Sequence, residues 1–311
     1  DDNAKAIFGT GDDLEIYHDG SNSYIKDGGT GDLRIASNDL YIKNGADTET
    51  KAYFLDNGAV GLYYDDAVKF ATTSSGVDVT GTINGVGISS NITNFSNSIL
   101  ISNDAGTGTL STASNNTGLG WEVFDDLTSG DDNTAIGYQA GSQLTTSTKS
   151  TIAGSGAGGN AAMTGAENNL FGYIAGRNIT TGQYNTGLGS YSLNSLTTGS
   201  NNIAVGRSSL GSNTTADNNT AVGYNALSAN TTGDVNTAVG TSALASNTTA
   251  SNNSALGREA LYSNTTGAYL TALGNASLYN NTTADYNTAV GYQALDANTT
   301  GNKNVAVGYG A

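Results

Sequence analysis

Glycine recurs every 17 residues over nearly two thirds of this 311-residue chain, and this period limits the folds available to it. Ten of the eleven steps between successive repeat glycines are 17 residues long, and only the step from Gly154 to Gly172 is 18. A helix pair or a propeller blade needs roughly 30 to 50 residues. One coil of a β-solenoid fits the shorter period, so the sequence predicts parallel coils stacked into a rod. The repeat glycines are Gly120, Gly137, Gly154, Gly172, Gly189, Gly206, Gly223, Gly240, Gly257, Gly274, Gly291 and Gly308.

A large apolar residue precedes the repeat glycine in eleven of the twelve copies. Stacked at the inter-strand spacing of ~4.8 Å, these residues would form one continuous column, which we expect to line the interior of the coil. The slot two residues before the glycine is small, as at Ala221 and Ala238. Adjacent strand residues point to opposite faces, so we expect this second face to approach another copy of the chain. The predicted core column is Val205, Val222, Val239, Leu256, Leu273, Val290 and Val307.

The residue after the repeat glycine is aromatic, basic or small and polar in different copies, which indicates that this slot is exposed. The glycine therefore marks a bend, a role that suits a residue without a Cβ. Aromatic rings in an exposed slot can stack on carbohydrate, so the tyrosines there are candidate contacts for a surface glycan. They are Tyr138, Tyr173, Tyr224, Tyr292 and Tyr309.

An Asn-Thr-Thr-Gly or Asn-Thr-Thr-Ala turn closes the later coils, as at residues 230–233. Asparagine can bond its own backbone in turns, and stacked asparagines can bond one another along a column. These asparagines also match the Asn-x-Thr glycosylation pattern, but their shared position in the repeat is explained by turn chemistry alone. They are Asn213, Asn230, Asn247, Asn264, Asn281 and Asn298.

Three regions follow from composition. Residues 1–87 hold most of the lysines and short alternating runs separated by Gly- and Asp-rich turns, which predicts a meander of strands, one of them at residues 32–35. Its strands are too short and polar for a large single-chain core, so we expect an intertwined stem shared by several chains. Residues 88–115 form a connector whose apolar spacing fits a helix or a strand. Residues 116–311 form a solenoid of about twelve coils.

Charge and composition restrict the partners. The net charge of −16 disfavours nucleic acid and anionic lipid, and no stretch approaches the ~20 apolar residues of a membrane helix. The chain has no cysteine, which excludes disulfides and thiolate metal sites. It begins at Asp1 and stops at Ala311, shortly after a repeat glycine, so we expect it to belong to a longer protein.

Candidate chemistry is sparse. His18 is the only histidine and lacks the partners of a catalytic triad, so a role at a strand end is expected. The paired acids, such as Asp65 and Asp66, are interpreted as turn residues, because glycan cleavage needs two carboxylates across a cleft. Calcium is the metal that Asp/Asn/Gly turns would suit, but residues 28–32 miss the Gly-Gly-x-Gly-x-Asp repeat by one position. The sequence predicts neither an enzyme nor a bound cofactor.

Three segments carry a family resemblance: residues 2–9, the run Asp-Leu-Glu-Ile-Tyr-His-Asp-Gly-Ser-Asn-Ser-Tyr-Ile at 13–25, and Val-Asp-Val-Thr-Gly-Thr-Ile at 77–83. They resemble tail-fibre proteins of marine tailed phages, particularly those that infect cyanobacteria. The repeat Asn-Thr-Ala-Val-Gly-Tyr-x-Ala-Leu resembles the distal shafts of the same proteins. It is also similar to the heads of trimeric autotransporter adhesins, which are trimeric left-handed parallel β-rolls with a shorter coil. The resemblance implies a homotrimeric fibre.

The expected function is a phage tail-fibre shaft that projects toward a bacterial surface and helps attach to it, located in the virion tail. Its expected partners are other copies of itself, fibre or tail proteins at its ends, and a bacterial surface glycan or protein. A bacterial trimeric surface adhesin is the alternative. A polysaccharide-cleaving tailspike and an ice-binding solenoid are less favoured, the latter because Ile203 and Val305 interrupt one threonine slot and because adjacent threonines diverge.

Overall fold

The structure is a computed structural model that describes residues 3–74, 76–80, 82–83, 86–92, 95–102 and 110–311. It divides the chain into two units, residues 1–81 and 82–311. The described residues form strands and turns and no helix. Residues 103–109 of the predicted connector lie outside the described residues.

The first unit contains two antiparallel sheets made of consecutive strands, as expected for a meander. The first sheet comprises β1 (Lys5–Phe8), β2 (Leu14–His18) and β3 (Ser23–Asp27). The second comprises β4 (Asp39–Lys43), β5 (Thr50–Leu55), β6 (Val60–Tyr64), β7 (Ala67–Thr73) and β8 (Gly76–Val79). The strand predicted at residues 32–35 is wrong, because this exposed segment joins neither ladder.

The second unit begins with β9 (Thr82–Ile83), β10 (Val86–Ile92) and β11 (Phe95–Ser102), which pair antiparallel. The described parts of the connector therefore contain strands and no helix. β11 also pairs in parallel with β12 (Ala113–Ser114) and β13 (Thr117–Leu119). It thus forms the first rung of the solenoid.

Eleven further three-residue strands continue the solenoid, each paired in parallel with the next. They are β14 (Thr134–Ile136), β15 (Thr151–Ala153), β16 (Asn169–Phe171), β17 (Thr186–Leu188), β18 (Ile203–Val205), β19 (Thr220–Val222), β20 (Thr237–Val239), β21 (Ser254–Leu256), β22 (Thr271–Leu273), β23 (Thr288–Val290) and β24 (Val305–Val307).

The register confirms the predicted period. Val222 lies opposite Val239, and Val239 lies opposite Leu256, so the residues before the repeat glycines form a single vertical file. At the one longer step, Ala153 lies opposite Phe171, which absorbs the additional residue without breaking the ladder. The parallel solenoid and its 17-residue coil are confirmed.

The side of the strand that faces the interior is the opposite of the predicted one. Ala221 and Ala238 are fully buried, whereas Val239 and Leu256 are 38 % and 42 % exposed. The predicted core column therefore lies on the outside of the coil: Val205, Val222 and Val290 are partly exposed, and Leu273 and Val307 are exposed. The alanine column, which was expected to meet another chain, lines the interior instead.

Little space is left in the interior beneath the strand because a residue on the opposite side of the coil also points into it. Leu227, four residues after its repeat glycine, is fully buried and leaves space for only a methyl group beneath the strand. Where Gly176 stands in the leucine slot, the strand carries Leu170, and a Cβ at Gly176 would lie 2.6 Å from Leu170 Cδ2. Gly158 and Ile152 repeat this exchange in the preceding coil. In most coils one large and one small residue thus face each other across the interior, whereas Ala135 faces Gly141 in the coil of Gly137.

The leucines of this slot adopt left-handed backbone angles, with φ of +51° at Leu227. Such a conformation costs an L-residue roughly 1–2 kcal/mol. Burying a leucine side chain contributes about 1.5–3 kcal/mol, which offsets that cost. Glycine suits the backbone at this slot, and it faces a large strand residue at Gly158 and Gly176.

The shared interior predicts energetic coupling between Ala221 and Leu227. We expect Ala221→Leu to destabilise the solenoid by about 1–3 kcal/mol through overpacking. Leu227→Gly should cost about 2–5 kcal/mol through the cavity it leaves. The double variant recreates the Leu170–Gly176 pair, so its cost should fall at least about 1 kcal/mol below the sum. Chemical denaturation of the four proteins measures this coupling, and strict additivity would contradict a shared interior.

The repeat glycines hold adjacent coils at close range. Gly223 has φ of +137°, and a Cβ there would lie 2.5 Å from the carbonyl oxygen of Gly240 and 2.6 Å from its carbonyl carbon. The other repeat glycines before Gly308 meet the backbone of the next coil in the same way. No side chain fits this position where another coil follows, which explains why each of these coils keeps a glycine there.

We expect Gly223→Ala to destabilise the solenoid by about 3 kcal/mol or more, because backbone strain adds to a backbone clash. Gly308→Ala is the matched control: its φ is +136°, but a Cβ there would meet only Ala311 Cβ at 3.7 Å. The control should cost only the backbone strain, about 1–3 kcal/mol. Thermal unfolding of both variants gives the comparison, and equal losses would remove coil contact as the reason for glycine.

Candidate interaction surfaces

The file of residues before the repeat glycines forms a partly exposed apolar surface, which we call the apolar column. It runs through Leu119, Ile136, Ala153, Phe171, Leu188, Val205, Val222, Val239, Leu256, Leu273, Val290 and Val307. The strand residue two places earlier lies on the same side and is usually threonine, as at Thr220 and Thr237. No charged residue occupies either position in β13 to β24. The result is a narrow uncharged face along the whole solenoid.

The tyrosines predicted as glycan contacts are exposed, but they do not form one continuous ladder. Tyr292 and Tyr309 stack with ring centroids 5.2 Å apart, while Tyr173 meets Tyr191 edge to face at 5.4 Å. Tyr138 and Tyr224 have no tyrosine in the adjacent copies of their slot. The exposed position is as predicted, and glycan contact stays a prediction.

Two further tyrosine pairs were missed by sequence reasoning. Tyr262 stacks on Tyr279 at 5.2 Å, and Tyr269 stacks on Tyr286 at 5.0 Å with nearly parallel rings. Each pair occupies one slot in two consecutive coils, 17 residues apart. That spacing in the sequence could have identified both pairs.

The asparagines of the glycosylation pattern face inward and bond one another. Asn247 Nδ2 donates to Asn230 Oδ1 at 2.9 Å and to the carbonyl oxygen of Ala250 at 3.0 Å. Asn264 Nδ2 donates in turn to Asn247 Oδ1 at 3.1 Å. The predicted asparagine column is therefore confirmed. Asn213, Asn230, Asn247, Asn264 and Asn281 are fully buried, and Asn298 is partly buried, so these side chains hold the turn together rather than face solvent.

A second asparagine column, four residues before the repeat glycine, had no predicted role. Asn236 Oδ1 accepts the backbone N–H of Asn253 at 3.0 Å, and Asn236 Nδ2 donates to the Ala250 carbonyl at 2.8 Å. The same pattern runs through most coils, is interrupted at Leu270, which is buried in this slot, and resumes at Asn287. Among the described residues, every buried side-chain nitrogen and oxygen has a hydrogen-bond partner.

The asparagine column predicts a position-dependent cost of removing one amide. Asn247→Leu breaks bonds to the coils on both sides, whereas Asn213 sits next to Leu196, which occupies the same slot one coil earlier. Asn247→Leu should therefore cost at least about 1 kcal/mol more than Asn213→Leu. Equilibrium unfolding measures both, and a smaller loss for Asn247→Leu would rule out the column as a source of stability.

The adjacent threonines of the turn diverge as predicted. Thr231 Oγ1 donates to the carbonyl oxygen of Thr248 at 3.0 Å, so it joins neighbouring coils, while Thr232 is exposed. In this turn the second threonine is therefore the one fully presented to solvent, whereas both Thr299 and Thr300 are exposed in the last turn.

The residues considered for catalysis or metal binding lie at strand ends and turns. His18 ends β2 and lies 3.2 Å from Ser23 Oγ through its Nδ1. Asp65 and Asp66 both have positive φ in the turn between β6 and β7. Within the described part of the chain, no three His, Cys, Asp or Glu side chains come together as a metal site.

One carboxylate of the first unit is buried against lysines. Glu15 accepts a hydrogen bond from Lys5 Nζ at 2.9 Å, and Lys26 Nζ lies 3.6 Å away. The Lys5 hydrogen bond holds the pKa of Glu15 below its ordinary value, although burial acts in the opposite direction. The ionised Glu15 carboxylate thus stabilises the first sheet at pH values above the pKa that Glu15 has in the unfolded chain. This stabilisation is lost as the pH falls through the lowered pKa of the folded chain.

Comparison with known proteins found no match: no protein-family model, no curated protein and no solved structure matches this chain. The described residues include no helix with the length and apolar character that a membrane crossing requires.

Proposed function

We propose that the chain is a segment of a homotrimeric structural fibre that projects toward a bacterial surface and helps attach to it. The observation that carries the proposal is the apolar column. It lies outside a solenoid whose own interior is already filled, and it repeats at constant spacing over twelve strands. Such a continuous apolar surface marks an interaction site.

Another copy of the same chain is the partner that fits this column best. Its rungs have the same spacing of ~4.8 Å, so the contacts of one coil repeat in every other coil. The net charge of −16 opposes close approach of two copies elsewhere, whereas the apolar column and its threonine neighbours carry no charge. Exposed apolar residues in the first unit, including Phe8 and Ile25, support a shared interior there as well.

The trimeric state and the biological setting rest on the resemblance. The segments at 2–9, 13–25 and 77–83 support the tail-fibre shaft of a marine phage, located in the virion tail. The Ala-Val-Gly-x-x-Ala core of the repeats supports the alternative, a bacterial trimeric adhesin at the cell surface. Both settings use a stiff β rod that sets the reach of weak binding sites, whose simultaneous engagement raises the overall avidity.

The mass of the purified chain in solution tests the proposal. We expect three times the single-chain mass of 31.4 kDa. The variant Val239→Lys/Leu256→Lys places unpaired cations in the apolar column, where burial is strongly unfavourable, and should give folded single chains. A single-chain mass for the unmodified protein would reject self-assembly through this face.

The matched control is Thr241→Lys/Asn275→Lys, which adds the same charge two residues further along the repeat. Arg207 and Arg258 occupy this slot in other coils, so the fold accepts cations there. The control should stay trimeric. Circular dichroism establishes that both variants keep their strands, and dissociation of the control would show that added charge, not its position, breaks the assembly.

A further inference from the structure

An open groove of about 540 Å³ crosses the solenoid where the coils of Gly189, Gly206 and Gly223 adjoin. Its lining includes Tyr191, Asn194, Arg207, Ser212 and Ser228. The lining residues follow the repeat glycines, whereas the apolar column precedes them. Small-molecule sites have volumes of roughly 300–1,000 Å³, and the groove falls in this range. We propose that it binds a carboxylated sugar of an acidic surface polysaccharide, an inference that rests on the proposed attachment function.

The groove results from a local departure from the repeat. Gly211 lies five residues after its repeat glycine, between Asn194 one coil earlier and Ser228 one coil later. In two later coils the same slot holds Tyr262 and Tyr279, whose stacked rings occupy the surface. The small side chains around Gly211 therefore leave open a space that aromatic rings cover elsewhere.

Arg207 supplies the groove with a cation. Its guanidinium carbon lies 5.9 Å from the ring centroids of both Tyr191 and Tyr224, which lie one coil to either side. The described residues offer Arg207 no carboxylate within ion-pair distance. Arg258 occupies the same slot three coils later and is paired with Glu259 at 2.6 Å. The position of Glu259 is taken by Ser208 in the groove, so the charge of Arg207 is left for a ligand.

The arrangement matches the chemistry of a uronate. A guanidinium presents parallel N–H donors that suit a carboxylate, and Tyr191 offers a ring on which a sugar face can stack. Asn194 and the hydroxyl groups of Ser212 and Ser228 can bond sugar hydroxyls. A neutral sugar would leave the guanidinium without an acceptor. The expected ligand is therefore an acidic rather than a neutral saccharide.

The binding of a galacturonate trisaccharide to the full chain, measured by calorimetry, tests the proposal. The titration is run at 0.15 M salt, where the Debye length of about 8 Å screens most of the distant negative charge. We expect the acidic trisaccharide to bind and neutral galactotriose to bind at least about tenfold more weakly. Equal binding of the two sugars would overturn the proposal. So would a chain that binds inorganic phosphate but does not bind the galacturonate trisaccharide.

Three variants locate the site. Arg207→Gln removes the cation, and Ser208→Glu supplies the carboxylate that Arg258 has in Glu259. Ser208 and Glu259 have φ of +58° and +56°, so the backbone accepts glutamate at this position. Ser228→Tyr fills the groove with the residue that its slot holds at Tyr262. Each should weaken binding about tenfold, the scale of a charged hydrogen bond lost or a site blocked.

Arg258→Gln is the matched control and should leave binding unchanged. Unaltered binding in Arg207→Gln and Ser208→Glu would contradict the site, even if the trimer and the fibre proposal stand. A single-chain mass combined with Arg207-dependent binding would instead sustain the groove and reject the fibre. Strand content by circular dichroism accompanies each measurement, so that loss of fold is not read as loss of the site.

Discussion

Backbone contact between coils at the repeat glycines is the constraint on which the solenoid depends. At Gly223 the next coil lies so close that a single added carbon would overlap the carbonyl of Gly240. This contact allows three-residue strands, each too short to be stable alone, to join one parallel ladder. Because of this contact, the repeat glycine does not vary between coils, whereas the exposed slot that follows it accepts tyrosine, arginine, threonine or asparagine.

Close stacking has a consequence for the interior. Coils of 17 residues with three-residue strands enclose little space, so in most coils a large side chain faces a small one across the interior, as in Leu170 with Gly176. The polar part of each turn is then stabilised by ladders rather than by burial of apolar surface. The two ladders differ in geometry. The side chain of Asn247 bonds the asparagines of the coils before and after it and the backbone of its own turn. The side chain of Asn236 bonds the backbone of the following coil at both its oxygen and its nitrogen.

The sequence allowed the period, the parallel register and the asparagine column to be predicted, because all three follow from spacing alone. It did not allow the inner and outer faces to be assigned. Val222 was predicted to be inside because large apolar residues are usually buried. Leu227, however, fills the interior from the opposite side of the coil, so the strand can place only the small Ala221 there. Leu227 reaches the interior because the backbone adopts left-handed angles at Asn225 and Leu227. The residue pattern of the strand alone does not predict this path of the turn.

The candidate surfaces divide in the same way. Exposure of Tyr138 and the other tyrosines of its slot followed from the mixed residue types found there. The groove did not, because it combines Tyr191, Arg207 and Ser228 from three coils, and its significance lies in the missing side chain at Gly211. Such features become visible only when the repeats are aligned as neighbours in space rather than in sequence.

The most direct test of stacked coils is a pair of distances between spin labels, which the absence of native cysteine makes unambiguous. Labels at Tyr138→Cys and Tyr292→Cys span nine coils, and labels at Tyr173→Cys and Tyr292→Cys span seven. With labelled chain diluted in unlabelled chain, the account predicts distances of about 43 Å and about 34 Å, each as a narrow distribution. Equal distances for the two pairs, or a broad spread in either, would contradict it.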